Sequence, residues 1–135
     1  MTAEQETSFA AYRPMTLVEL AGHLARAGDD GHRWRLVAEF LEEYRHESAA
    51  DRSALLAVEP PSSGHERWDV FLAALAEHLA ARDDRGPAEW TADRQLASFW
   101  FPFSTAAARV DAVVHSPASF RSRGIFVAPQ ELGVA

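Results

Sequence analysis

Residues 65–82, His65-Glu66-Arg67-Trp68-Asp69-Val70-Phe71-Leu72-Ala73-Ala74-Leu75-Ala76-Glu77-His78-Leu79-Ala80-Ala81-Arg82, decide the fold class. Trp68, Phe71, Leu72, Leu75 and Leu79 recur at i, i+3, i+4, i+7 and i+11, a spacing that stacks them on one side of an α-helix. Pro60-Pro61-Ser62-Ser63-Gly64 breaks the chain before this run and Asp83-Asp84-Arg85-Gly86-Pro87 closes it. The first break is too short for a domain linker and is read as a loop between packed helices.

Upstream, Thr16-Leu17-Val18-Glu19 is a capping-box pattern, and Leu17, Leu20, Ala21 and Leu24 form the apolar stripe of the helix it starts. Gly28-Asp29-Asp30-Gly31 ends that helix. A second runs from about His32 to His46, with Val37, Phe40, Leu41 and Tyr44 inward, Trp34 one turn upstream, and Glu39, Glu42 and Glu43 on the wet side. Ser48 caps a shorter helix carrying Leu55 and Leu56. Downstream, a helix is expected from Pro87, whose missing N–H costs nothing in a first turn. Pro102 puts a bend at Phe101. Ser104 starts a helix bearing Val110, Val113 and Val114. Ser116-Pro117 starts a short one through Phe120 that Gly124 ends, and Ile125-Phe126-Val127 is strand-like.

The fold expected is therefore all-α, a compact bundle of about six or seven helices with at most one short strand near residues 125–127. Its 135 residues suit one domain, read as a loose N-terminal arm over 1–14 followed by a single helical domain over 15–135. Trp34 and Trp68, each preceded by Arg, lie 34 residues apart. The residues between them lack a tetratricopeptide pattern, and coincidence is the better reading.

All 13 basic residues are Arg, set against 20 acids, for a net charge of −7. Residues 1–68 carry seven Arg against twelve acids, 69–103 three against six, and 104–135 three against two. An acidic body with a mildly basic tail fits a protein partner better than a phosphate backbone, so a nucleic-acid partner is disfavoured. There is no Cys, which excludes disulfides and thiolate chemistry. Neither a signal-peptide pattern nor an apolar run of roughly 20 residues is present, so a cytoplasmic protein without a membrane is expected.

Motifs for catalysis are missing. The six His form neither a His-x-x-x-His pair nor a zinc-protease motif, so no metal site is expected. No Gly-x-Ser-x-Gly elbow or phosphate-binding Gly loop occurs, and no carboxylate pair stands out. The reading is a non-enzyme with no cofactor. A helix-turn-helix would have to use the Gly28–Gly31 turn, and its second helix sets Arg33, Arg35 and Arg45 against Glu39, Glu42, Glu43 and Glu47, which would oppose phosphates.

The densest unusual feature is Phe99-Trp100-Phe101-Pro102-Phe103, four of the fourteen aromatics. Near-consecutive side chains cannot all face one core; Phe99 and Phe103 are expected inward, with Trp100 or Phe101 partly open to a partner. Aromatics and Arg are enriched at interfaces. The candidate partner-binding set is therefore Trp100, Phe101, Phe103, Arg121, Arg123 and Phe126. Arg121 also reads as an exposed charge at a helix C-terminus, and Arg123 stays open between the two.

Three blocks carry a resemblance. They are Arg33-Trp34 through Phe40-Leu41-Glu42-Glu43-Tyr44-Arg45-His46-Glu47; Leu55-Leu56 through Glu59-Pro60-Pro61, Arg67-Trp68-Asp69 and Leu72 to Ala80; and Phe99-Trp100-Phe101 with His115-Ser116-Pro117-Ala118-Ser119-Phe120-Arg121-Ser122-Arg123-Gly124-Ile125-Phe126. Together they resemble a family of small actinobacterial proteins similar to the antitoxin-like partner encoded beside a nucleotidyltransferase-fold protein. The resemblance implies a non-catalytic module that neutralises or regulates that enzyme, with no catalytic residue to carry over. A related tail follows helix-turn-helix domains, which keeps a DNA-binding regulator of its own operon as the alternative. The residues ahead of the tail show no convincing helix-turn-helix pattern, which weighs against autoregulation.

Overall fold

A stretch apolar on nearly every side can be stable only at the centre of a bundle, and that is where the 65–82 run sits. The computed structural model describes residues 13–103 and 106–132 (Ala106 by its backbone). Of the arm expected over 1–14, residues 1–12 lie outside the described residues, as does the cap at Ser104. Among the described residues there are six α-helices: α1 (Leu17–Arg26), α2 (Asp30–Arg45), α3 (Ala49–Ala57), α4 (Glu66–Arg82), α5 (Ala106–His115) and α6 (Ala118–Arg121). Two 3-10 turns, Glu89–Thr91 and Pro129–Leu132, complete the regular structure. The protein is an all-α bundle.

α4 buries Trp68, Val70 to Ala76, Leu79 and Ala80, more than the single stripe its spacing predicts. Ala73, Ala74 and Ala76 make the difference, because their small side chains let neighbours close in on the far side. α1, α6 and the Glu89–Thr91 turn pack on it, while α1 also packs on α2, and α2 on α3. One continuous apolar cluster runs from Leu17 to Leu132.

Two of the local start signals, at Thr16 and Ser48, act as read, while the Gly28–Gly31 stretch holds the start of α2. Thr16 Oγ1 accepts from the Glu19 amide at 3.1 Å and Glu19 Oε1 accepts from the Thr16 amide at 3.0 Å, closing the capping box. Asp29 caps α2 through the His32 amide at 2.8 Å, so that helix begins two residues before the expected His32. Ser48 caps α3. α4 ends with Asp84 at φ +56. The Arg85 amide donates to Ala80 O and the Asp84 amide to Ala81 O at 2.8 and 3.0 Å, a Schellman closure with Asp in the place glycine usually takes.

Three expectations are corrected. The helix expected from Pro87 is only the turn Glu89–Thr91, because its side chains bond elsewhere. Trp90 Nε1 donates to Leu56 O at 3.2 Å, and Arg94 donates to Asp69 O and Pro60 O at 2.9 and 2.8 Å. The strand expected over 125–127 is a lone parallel bridge between Trp100 and Ile125. The Trp100 amide donates to Gly124 O and the Phe126 amide to Trp100 O; Gly124 supplies the φ of +85 that turns the chain into this pairing. Ser116 does not cap α6. Its hydroxyl faces inward, donating to Ala112 O and accepting from the Val127 amide.

Candidate functional site

Pairing the 96–100 segment with 123–126 sets the face each aromatic takes. In extended chain, alternate side chains point to opposite sides. Trp100, Ile125 and Val127 go inward, at 6%, 0% and 1% exposure. Phe99, Phe101 and Phe126 go outward together. Phe126 stacks on Phe101 at 5.0 Å and 14°, and meets Phe99 edge-on at 5.2 Å.

This corrects the split expected within 99–103. Phe99 is 73% exposed rather than inward. Trp100 is buried, its ring edge-on to Trp68 at 5.3 Å with the Arg67 guanidinium over it, so it reaches no partner without unfolding. Phe101 and Phe103 are half-buried; Phe103 lies 4.9 Å from Trp34, which also packs edge-on against Trp68 and Phe71.

The two arginines separate as sharply. Arg123 is 6% exposed. Its guanidinium donates to both Glu77 oxygens at 3.1 and 3.2 Å, and to Ser119 O, Thr91 O and Arg94 O at 2.8 to 3.1 Å. Five N–H donors meet five acceptors, leaving none for a partner; its candidate role in docking is corrected to one in tying α4, α6 and the 89–94 segment together. Those bonds hold the Glu77 carboxyl below the usual carboxylate range. Arg121 is exposed and donates to Val113 O and Val114 O at 3.3 and 3.2 Å. The helix end it caps is therefore α5, not its own.

α5 was invisible as a site in the sequence. Ala112 faces the body, whereas Val110, Val113 and Val114 are 67%, 52% and 60% exposed. Positions i, i+3 and i+4 share one side of a helix, so the three valines make one outward stripe. With Phe101 and Arg109 they line a shallow groove of about 270 Å³, and the Arg109 guanidinium sits 5.4 Å from the centre of the Phe101 ring. The valine stripe therefore continues through Phe101 into the Phe126–Phe99 pair. Asp111, in the middle of the helix, is taken by His115 Nδ1 at 2.8 Å and by the Gln130 side-chain amide. The helix carries only Arg109, Asp111 and His115 as polar residues, a composition with too little polar surface to cover one side. That was the available signal.

No family model, curated protein or solved structure matches this chain.

What the outward face can do chemically is set by its own residues: desolvate apolar surface and offer cations at its edge. Other parts of the molecule offer less. A groove of about 330 Å³ lies between α2 and Pro129–Leu132, lined by Trp34, Val37, Leu41, Glu42 and Arg45 among others. Gln130 and Glu131 line it too, and its Arg45–Glu42 pair at 3.3 Å has both side chains more than half exposed, so solvent screens those charges. Among the described residues no cluster of three or more His, Asp or Glu is arranged to hold a metal ion, and no helix is long and apolar enough to cross a membrane.

Proposed function

We propose that this chain is a cytoplasmic, non-catalytic protein-binding module that neutralises or regulates a partner enzyme of nucleotidyltransferase type, in the manner of an antitoxin. The observation that carries this reading is the continuous outward face of Val110, Val113, Val114, Phe101, Phe126 and Phe99. Contiguous exposed apolar surface is costly to keep in water and marks interaction sites, and exposed aromatics supply the anchors of interfaces. Neutralisation is steric: the face docks against the enzyme, and the acidic remainder of the molecule, ten Arg against eighteen acids over residues 1–103, excludes a phosphate-bearing substrate by like charge.

The DNA-binding alternative draws less support. Arg33 is 8% exposed and donates to Leu24 O, Ala27 O and Asp30 Oδ1 at 3.2, 2.8 and 2.8 Å. It caps the end of α1 instead of facing out. Arg45, at the other end of α2, is paired with Glu42.

The test is co-expression with the product of the adjacent gene, tagging only that neighbour. Slowed growth with the neighbour alone, restored growth with both, and elution of both as one complex are expected. A harmless neighbour that elutes alone overturns the reading.

A further inference from the structure

The charge at the edge of the outward face says what its occupant looks like. Resting on the protein-binding reading above, we infer that the α5 groove receives an amphipathic helix of the partner whose apolar stripe is flanked by carboxylates. The shape fits. α5 is ten residues long, about 15 Å at the rise of an α-helix. Its valine stripe and the Phe101 ring form an open, shallow groove with an apolar lining, a surface on which a helix can lay its i, i+3, i+4 and i+7 anchors.

The electrostatics choose between occupants. Arg109 is exposed at one edge, over Phe101. Arg121 is exposed at the C-terminal end, on the Val113 and Val114 carbonyls. Asp111, the carboxylate of this helix, is already bonded to His115 and Gln130. The groove is thus edged by two guanidinium groups on a molecule whose net charge is −7. Opposite potentials across an interface set specificity and register. A second copy of the chain would bring the same two arginines onto the same rim and meet like charge. A carboxylate-flanked helix meets Arg109 and Arg121 with the bidentate geometry guanidinium favours.

The probes are two synthetic helical peptides of about 20 residues, long enough for helix formation. They share one leucine stripe and differ only in flanks that are all Glu or all Lys. Each is titrated into the full chain while the Val110, Val113 and Val114 methyl resonances are followed by NMR. The Glu-flanked peptide is expected to shift those methyls and to bind about tenfold more tightly there than the Lys-flanked one, against the attraction that a net charge of −7 exerts on lysine. Arg109→Glu with Arg121→Glu is expected to reverse the order. Binding with equal strength or with a Lys preference overturns the inference. So do shifts confined to other residues, self-association through this face, and methyl shifts produced instead by a single-stranded oligonucleotide. Each of those results leaves the co-expression outcome untouched, so the two readings fail separately.

Discussion

Arg123 forks onto Glu77, one terminal nitrogen to each carboxylate oxygen, at 3.1 and 3.2 Å. The pair joins α4 to the loop after α6 across 46 residues of sequence, and Arg123 is all but removed from water. Removing Arg123 leaves the half-buried Glu77 carboxylate without its partner and strips a donor from the Ser119, Thr91 and Arg94 carbonyls.

Arg123→Met is therefore expected to lower stability by roughly 2–4 kcal/mol, read as a fall in the denaturant midpoint at unchanged slope. Arg121→Ala, two residues away and exposed at the end of α5, should cost no more than about 1 kcal/mol. Equal losses in the two variants would show that Arg123 is not the tie described.

Stability should fall with acid over two pH ranges. Burial and the nearby Arg82 keep His78 below its ordinary value of 6.5. The Arg123 bonds hold Glu77 below 4.5, and the capping bonds from Thr16 do the same for Glu19. A group with a depressed folded pKa binds its proton more readily when unfolded, so it contributes stability that is full above the unfolded value and lost as pH falls through the folded one. Stability should begin to decline below about pH 6.5 through His78, then more steeply below about 4.5. In Glu77→Gln the steeper limb should flatten in a pH series of melting temperatures; an unaltered limb would contradict the assignment.

Trp100→Ala should cost roughly 3–5 kcal/mol, the range for a buried aromatic. Phe99→Ala should cost no more than about 1.5 kcal/mol, the worth of its edge contact with Phe126. Thermal melts of the two variants side by side decide it, and a larger loss at Phe99 would reverse the burial pattern.

Gly124→Ala should destabilise by about 1–2 kcal/mol, since an L side chain in the left-handed region costs that much. The strain is conformational: the nearest atom to an added Cβ would be Leu96 Cβ at 3.6 Å. Gly86→Ala, with no positive φ and open space around it, should be neutral in chemical denaturation.

The helices were legible wherever sequence chemistry is local. The Thr16–Glu19 box, the Ser48 cap and the Trp68 to Leu79 stripe depend on residues within a few positions of each other, and the structure uses them as read. What stayed hidden depends on distant partners. Nothing near Pro87 tells that Trp90 and Arg94 bond Leu56, Pro60 and Asp69 in place of continuing a helix. Only the pairing with residues 123–126 turns Trp100 in and Phe99 out. The arginines look alike at 121 and 123, and it takes Glu77, far back in α4, to bury one of them. The α5 stripe was visible as periodicity, but spacing does not say which side of a helix meets the body. Ala112 and Ser116 settle that by packing inward and leave the valines in water.

On the proposed reading, the Val110–Val113–Val114 face docks the partner. The most direct test is the double variant Val110→Asp, Val113→Asp, co-expressed with the tagged neighbour after its melting temperature has been shown to equal the parent's. Loss of the complex and of growth rescue, with the fold intact, is predicted. A complex that survives both aspartates would place the docking surface elsewhere.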